Sequence, residues 1–191
     1  MYISNSIFQK IFRRIFPMSR PRMLNNIRDN QKKTIPKTRI SSSTFIDHPL
    51  TLELGENVYI GHFNFIEASH GIKIDAGVQI TSFITITTHS SHQSIRLYGN
   101  KYSGSEMIGY IKGSIEIGAY SFIGPHSTIM PNTKIGKGCI ISAYSYVKGV
   151  FPDFSIIGGN PAKVIGDTRT LDASLLDENP SLKPNYDAWA K

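Results

Sequence analysis

Two of the six histidines of this 191-residue chain stand three positions apart in Ile86-Thr-Thr-His89-Ser-Ser-His92, ahead of a polar stretch. Imidazole, with an ordinary pKa near ~6.5, is the natural side chain to take a proton at neutral pH. Six histidines would also suffice in number for a three-histidine metal centre. However, His62–His70 and His89–His92 come without the carboxylates and arginine expected beside such a centre, so no metal is expected. The single cysteine, Cys139, excludes an intrachain disulfide framework, and no basic partner that would activate it as a nucleophile is evident.

The elements that must position these groups are announced by a period of six. An aliphatic residue recurs at Ile117, Ile123, Ile129, Ile135, Ile141 and Val147, and a small one four places later at Ser121, Ser127, Thr133, Cys139 and Ser145. Neither an amphipathic helix nor one half-buried strand has this period. It fits a chain that makes a short strand, turns and repeats, giving an all-β solenoid whose aliphatic and small residues both point inward. Cys139 occupies one of the small slots and reads as core filler. Leu54, Ile60 and Ile66 set the same period earlier. After a two-residue slip at His70-Gly71, read as a bulged corner, Ile74, Ile80 and Ile86 resume it, with Val78 and Ile84 in the companion slots. Residues 90–114 abandon the period, and a long excursion from a regular solenoid tends to be functional.

The division is therefore an arm at 1–40, a solenoid at 41–166 and a tail at 167–191 whose conformation the sequence leaves open. The formal charge of +7 is uneven: ten basic residues and only Asp29 among the first 40 give +9, leaving −2 on the rest. Within the arm, the pairs Ile7-Phe8, Ile11-Phe12 and Ile15-Phe16 recur every four residues beside Lys10, Arg13 and Arg14. As a short amphipathic helix stopped by Pro17, residues 6–16 suit either peripheral contact with an anionic membrane or packing on protein. No apolar run reaches the roughly 18 residues that cross a bilayer, and a secretory signal pattern is missing, so a cytoplasmic location is expected. The mildly acidic body argues against nucleic acid as a partner.

Two stretches make the chain similar to the hexapeptide-repeat acyltransferases, above all the galactoside, maltose and polysaccharide O-acetyltransferases. One runs from Ile117-Gly-Ala-Tyr-Ser-Phe-Ile-Gly-Pro-His through Ile141-Ser-Ala-Tyr-Ser-Tyr-Val to Gly158-Gly-Asn-Pro-Ala-Lys163; the other is Ile86-Thr-Thr-His89-Ser-Ser-His92. The resemblance implies a left-handed parallel β-helix, a homotrimer, and acetyl-coenzyme A as donor in a groove between subunits. It implies His89 as the catalytic histidine; a direct transfer is expected, with this imidazole as general base and, as in comparable acyl transfers, a facing backbone N–H for the oxyanion. His92 and Asn64 are expected at the acceptor, although Asn64 also suits a corner ladder. The donor would be met by Phe122, standing where that branch has tryptophan, by Ser142 and Ala143, and by the turn of Gly158, Gly159, Asn160 and Pro161, with Lys163 near its phosphates. Residues 1–40 do not match that branch's N-terminal cap, so no acceptor-binding acid is carried over from it.

The reaction so implied is O-acetylation of a sugar hydroxyl on a surface polysaccharide or its lipid-linked precursor. Transfer to the amine of an amino-sugar nucleotide or antibiotic, a carbonic-anhydrase-like metalloenzyme and a silent scaffold are the alternatives.

Overall fold

A computed structural model describes residues 20–191; residues 6–16, expected to wind as an amphipathic helix, lie outside the described residues. Each coil lays one short strand on each of three faces. The first face holds Arg39–Ser41, Tyr59–Ile60, Gln79–Ile80, Phe122–Ile123, Ile140–Ile141 and Ser155–Gly159, stacked in parallel. The second holds Phe45–Asp47, Phe65–Glu67, Thr85–Thr87, Thr128–Ile129 and Tyr146–Val147. The third holds Leu52–Leu54, Ile72–Ile74, Ile115–Ile117, Lys134–Ile135 and Val150–Phe151. Both edges of the first face end in an antiparallel strand, Met23–Leu24 at one and Ala162–Asp167 at the other.

The period of six is thus the length of one side of a coil. Its aliphatic residues stack in register, Ile66 on Ile86 on Ile129 on Val147 and Ile80 on Ile123 on Ile141. All of them are buried and form one continuous core. The small slots do more than leave room. Ser121 Oγ donates to Gly136 O at 3.0 Å and accepts from Cys139 N at 3.1 Å, while Ser127 Oγ donates to Ser142 O at 3.1 Å. These hydroxyls satisfy corner backbone groups that turn inward and would otherwise be buried without partners.

The slip at His70-Gly71 is a wider corner between the second and third faces. Gly71, at φ +90°, closes a turn in which its N–H donates to Ala68 O at 2.9 Å. One coil earlier the same corner carries a 3₁₀ turn at Pro49–Thr51, and one coil later it opens into the excursion. The tail forms helices at Thr168–Glu178 and Lys183–Ala190. They return to the corner between the third and first faces, where Trp189 meets Tyr120 at 4.7 Å and Phe154 at 5.9 Å between ring centroids. Lys137 Nζ caps the last helix by donating to the carbonyls of Trp189, Ala190 and Lys191.

Coil stacking leaves no room for a side chain at Gly118, where a Cβ would come within 2.5 Å of the Gly136 carbonyl carbon and Lys137 N. Gly118→Ala should therefore lower stability by about 1–3 kcal/mol, as overpacking of a tight core does. Denaturant unfolding checks this: a shifted midpoint with an unchanged slope is expected, and an unshifted midpoint contradicts it.

Candidate active site

His89 ends the second-face side of its coil and begins the excursion, with Thr87 Oγ1 donating to its carbonyl at 3.0 Å. The coil below supplies a carboxylate that sequence reading did not single out. Glu67 closes the strand Phe65–Glu67, is only 4% exposed, and stacks in register between Asp47 and Thr87. One of its oxygens accepts from Ser69 N at 2.8 Å; the other accepts from Thr88 N at 2.9 Å and Thr88 Oγ1 at 2.7 Å. That second oxygen also lies 2.9 Å from His89 Nδ1.

Burial by itself would raise the carboxyl pKa of Glu67. The hydrogen bonds from the Ser69 and Thr88 side chains and backbone N–H groups outweigh it and lower the value from 4.5 to about 2. The group is therefore anionic at neutral pH. His89 Nδ1 is buried and has no acceptor on the line of its N–H bond, although Glu67 Oε2 is close enough. The two atoms are already within hydrogen-bond distance, and such contacts often tighten only once a substrate is bound. The pairing favours the tautomer with its proton on Nδ1, leaving the lone pair of Nε2 to receive another.

Two more imidazoles lie at this corner. His48, at φ +57°, places Nδ1 3.1 Å from Asp47 Oδ1 and 4.0 Å from Glu67 Oε1. His70 Nδ1 is 2.8 Å from Ser69 Oγ, and its ring is 6.2 Å from that of His89. No signal of spacing marks Glu67 or His48. Both emerge only when coils are stacked in register.

The expected site residues fall into separate groups. His92, exposed just after His89, has Nδ1 2.8 Å from Ser90 Oγ, and its carbonyl accepts from Arg96 Nη1. Asn64 is 3% exposed and sits in the corner ladder between the first and second faces. There Nδ2 donates to Gly61 O and Thr81 O, and Oδ1 accepts from Ile84 N. Phe122 is exposed on the first face, and Ser142 and Ala143 follow the next strand of that face into the same corner. Gly158, Gly159, Asn160, Pro161 and the exposed Lys163 form the hairpin closing that face, with Gly158 opposite Lys163 and Gly159 opposite Ala162. Cys139 is buried in its core slot, where burial pushes the thiol pKa upward. Among the described residues no group of three His, Cys, Asp or Glu side chains is placed to hold a metal ion.

The lowered pKa of Glu67 carries a stability consequence. A carboxyl at about 2 when folded and 4.5 when free stabilises the fold fully above pH 4.5, and the contribution fades as pH falls toward 2. The gap corresponds to roughly 3 kcal/mol. Urea midpoints measured from pH 6 to 3 should therefore fall more steeply in the wild type than in Glu67→Gln; parallel curves would argue against it.

The family model for the bacterial transferase hexapeptide (six repeats) matches residues 114–149. The putative acetyltransferase YJL218W of Saccharomyces cerevisiae is 30% identical over 159 residues, 76% of this chain and 76% of that protein. Galactoside O-acetyltransferase of Escherichia coli is 28% identical over 141 residues, 70% of this chain and 65% of that protein. Against other curated relatives it matches, the chain spans only 33–57% of their length. AntD, an N-acyltransferase from Bacillus cereus solved with dTDP and 3-hydroxybutyryl-CoA, shares the fold at a TM-score of 0.58 and 19% identity, over 84% of this chain and 100% of that one. The repeat, the stacked coils and these relatives together make the chain a member of the hexapeptide-repeat acyltransferase family, with that family's left-handed parallel β-helix.

Proposed function

We propose that this chain is an acetyl-coenzyme A-dependent O-acetyltransferase acting on a sugar hydroxyl of a cell-surface polysaccharide or its lipid-linked precursor. The observation that carries the reading is the pairing of His89 with the buried anionic Glu67 at the mouth of the excursion. In the reaction His89 Nε2 takes the proton of the acceptor hydroxyl as its oxygen attacks the thioester carbonyl. The tetrahedral intermediate then collapses, the C–S bond breaks, and the imidazolium returns the proton to the departing thiolate. Glu67 holds the imidazole and balances its transient charge, the part a buried carboxylate plays beside a catalytic histidine. No acyl-enzyme is needed, and Cys139 takes no part.

The donor residues support a site shared between copies. Phe122, Ser142, Ala143 and the Gly159–Lys163 hairpin lie on the first face and its corner, whereas His89 and His92 rise from the corner between the second and third faces. A homotrimer brings the donor surface of one copy to the His89 corner of the next, giving the concavity a lone solenoid lacks. The apolar surface between those corners favours such an assembly. Phe45 and Phe65 stack on the second face, and Phe63, Phe83 and Tyr144 line its edge, each 43–71% exposed. In this arrangement a backbone N–H of the facing copy stabilises the oxyanion, and Lys163 meets the donor phosphates. The recurring Ile-Phe pairs and the basic residues of segment 6–16, read from the sequence, favour a lipid-linked acceptor at a membrane surface.

Incubating the protein with acetyl-coenzyme A and a panel of glycosides and amino-sugar nucleotides, with products resolved by mass spectrometry, tests the reading. Hydroxylamine-labile esters are expected; amide products would assign N-acetylation instead. His89→Ala should reduce turnover about 10²–10⁴-fold, and Glu67→Gln, which spoils the tautomer, about 10²-fold or more. A His89→Ala protein with wild-type turnover would remove the general base from the scheme.

A further inference from the structure

The excursion does more than leave the solenoid and return: it brings an aromatic ring back onto His89. Its stem is a two-stranded antiparallel ribbon in which His89 faces Lys112 and Ser90 faces Ile111. Alternation along a strand puts residue 110 on the same side as residue 112, which makes it the diagonal neighbour of His89. Tyr110 accordingly lies against the imidazole, with ring centroids 5.6 Å apart and planes within 10° of parallel.

Several contacts fix the backbone that carries that ring. Gly109, at φ +85°, reverses the chain against the helix Ser94–Tyr98, where an added Cβ would meet Gln93, Ser94 and Leu97 at 3.2 Å. Tyr110 N donates to Met107 O at 3.0 Å. At the root, Gly113 N donates to Thr88 O at 3.0 Å, and Asn132 Nδ2 donates to Lys112 O at 3.2 Å. Thr88 is the residue whose N–H and hydroxyl hold Glu67. The segment carrying the ring and the donors holding the carboxylate therefore meet at Thr88, the residue before His89.

We propose that Tyr110 is a positioning residue for His89, its ring fixing the imidazole rotation that turns Nδ1 toward Glu67 and Nε2 toward the acceptor. An imidazole on a side chain that is 37% exposed has a broad, roughly two-fold torsion to settle, and the single carboxylate contact is off axis. A flat surface against one face removes that freedom, and the loss of one such aromatic pair is felt as a modest factor in rate. The face of the ring supplies the constraint, so phenylalanine should replace tyrosine. Burial and the nearby Tyr102 and Glu67 raise the phenol pKa, so the hydroxyl stays protonated and adds no charge beside the imidazole.

This inference rests on His89 being the base, and its test keeps the two apart. In the full-length protein, carbon-13-labelled histidine gives a Cε1–H signal for His89, identified by its absence in His89→Gln. Ring current from Tyr110 should displace that signal alike in the wild type and in Tyr110→Phe, relative to its place in Tyr110→Leu. With acetyl-coenzyme A and methyl glycosides as probes, Tyr110→Leu should lose about 3- to 10-fold in kcat. Its KM for acetyl-coenzyme A should stay within about twofold, and Tyr110→Phe should restore kcat. The inference fails if the signal has the same place in the wild type and Tyr110→Leu, if Tyr110→Leu keeps its kcat, or if Tyr110→Phe falls as far as Tyr110→Leu. Wild-type turnover in His89→Gln would overturn the general-base reading and this inference with it. A dead His89→Gln beside a normal Tyr110→Leu would sink only the role of Tyr110.

Discussion

Stacking the coils in exact-register ladders is the constraint on which this molecule depends, because adjacent strands come within ~4.8 Å of one another and every coil must present the same outline to the next. Isoleucine above isoleucine meets that demand with one shape repeated, as at Ile80, Ile123 and Ile141. The corners meet it at a cost. Phe63, Phe83, Tyr120, His126, Asn132, Tyr144 and Phe154 all adopt a left-handed backbone at φ +57° to +63°, a conformation that costs a non-glycine residue about 1 kcal/mol or more. At one corner the rings offset part of it by stacking on each other, Phe63 on Phe83 on His126 on Tyr144, with centroids 4.8–5.3 Å apart.

The same stacking explains why a carboxylate can be buried here. Glu67 occupies a strand-end position whose register partners are Asp47 and Thr87, and the corner beside it is wide enough to turn Ser69 N and Thr88 N inward. An anion inside a protein is tolerable only when its oxygens are fully solvated by donors. The backbone supplies those donors because the corner bulges. The slip at His70-Gly71 is therefore part of the architecture that seats the histidine's partner.

Much of this was legible in the sequence and some was not, for identifiable reasons. The repeat, the inward slots, the bulged corner and the excursion all follow from spacing, which is a property of consecutive residues. The bonding role of Ser121 and Ser127 follows less directly, since a small residue suits a tight corner whether or not its hydroxyl is used. Glu67 was hidden because an acid after an aliphatic residue is also what an exposed solenoid edge looks like, as at Glu116 beside Ile117. Burial of the first and exposure of the second are decided by the neighbouring coils. The tail was undecidable because Trp189 finds its place against Tyr120 and Phe154, residues far away in sequence.

The arrangement also separates the tasks of the molecule by corner. One corner carries the tail helices through Trp189, a second carries the exposed aromatic column, and the third carries the widened turns with His48, Glu67, His70 and His89. Regular repetition would put similar residues at all three. One corner escapes the repeat, and the escape leaves the ladders on either side undisturbed. The chain manages this by leaving after Ile86, which stacks on Ile66 and Ile129, and returning at Ile115, which stacks on Ile72. The core passes beneath the excursion as though it were absent. Substitutions in the excursion short of its root at Gly113, where a Cβ would strike Asn132, therefore leave the stack beneath intact, so this corner can vary without the scaffold changing.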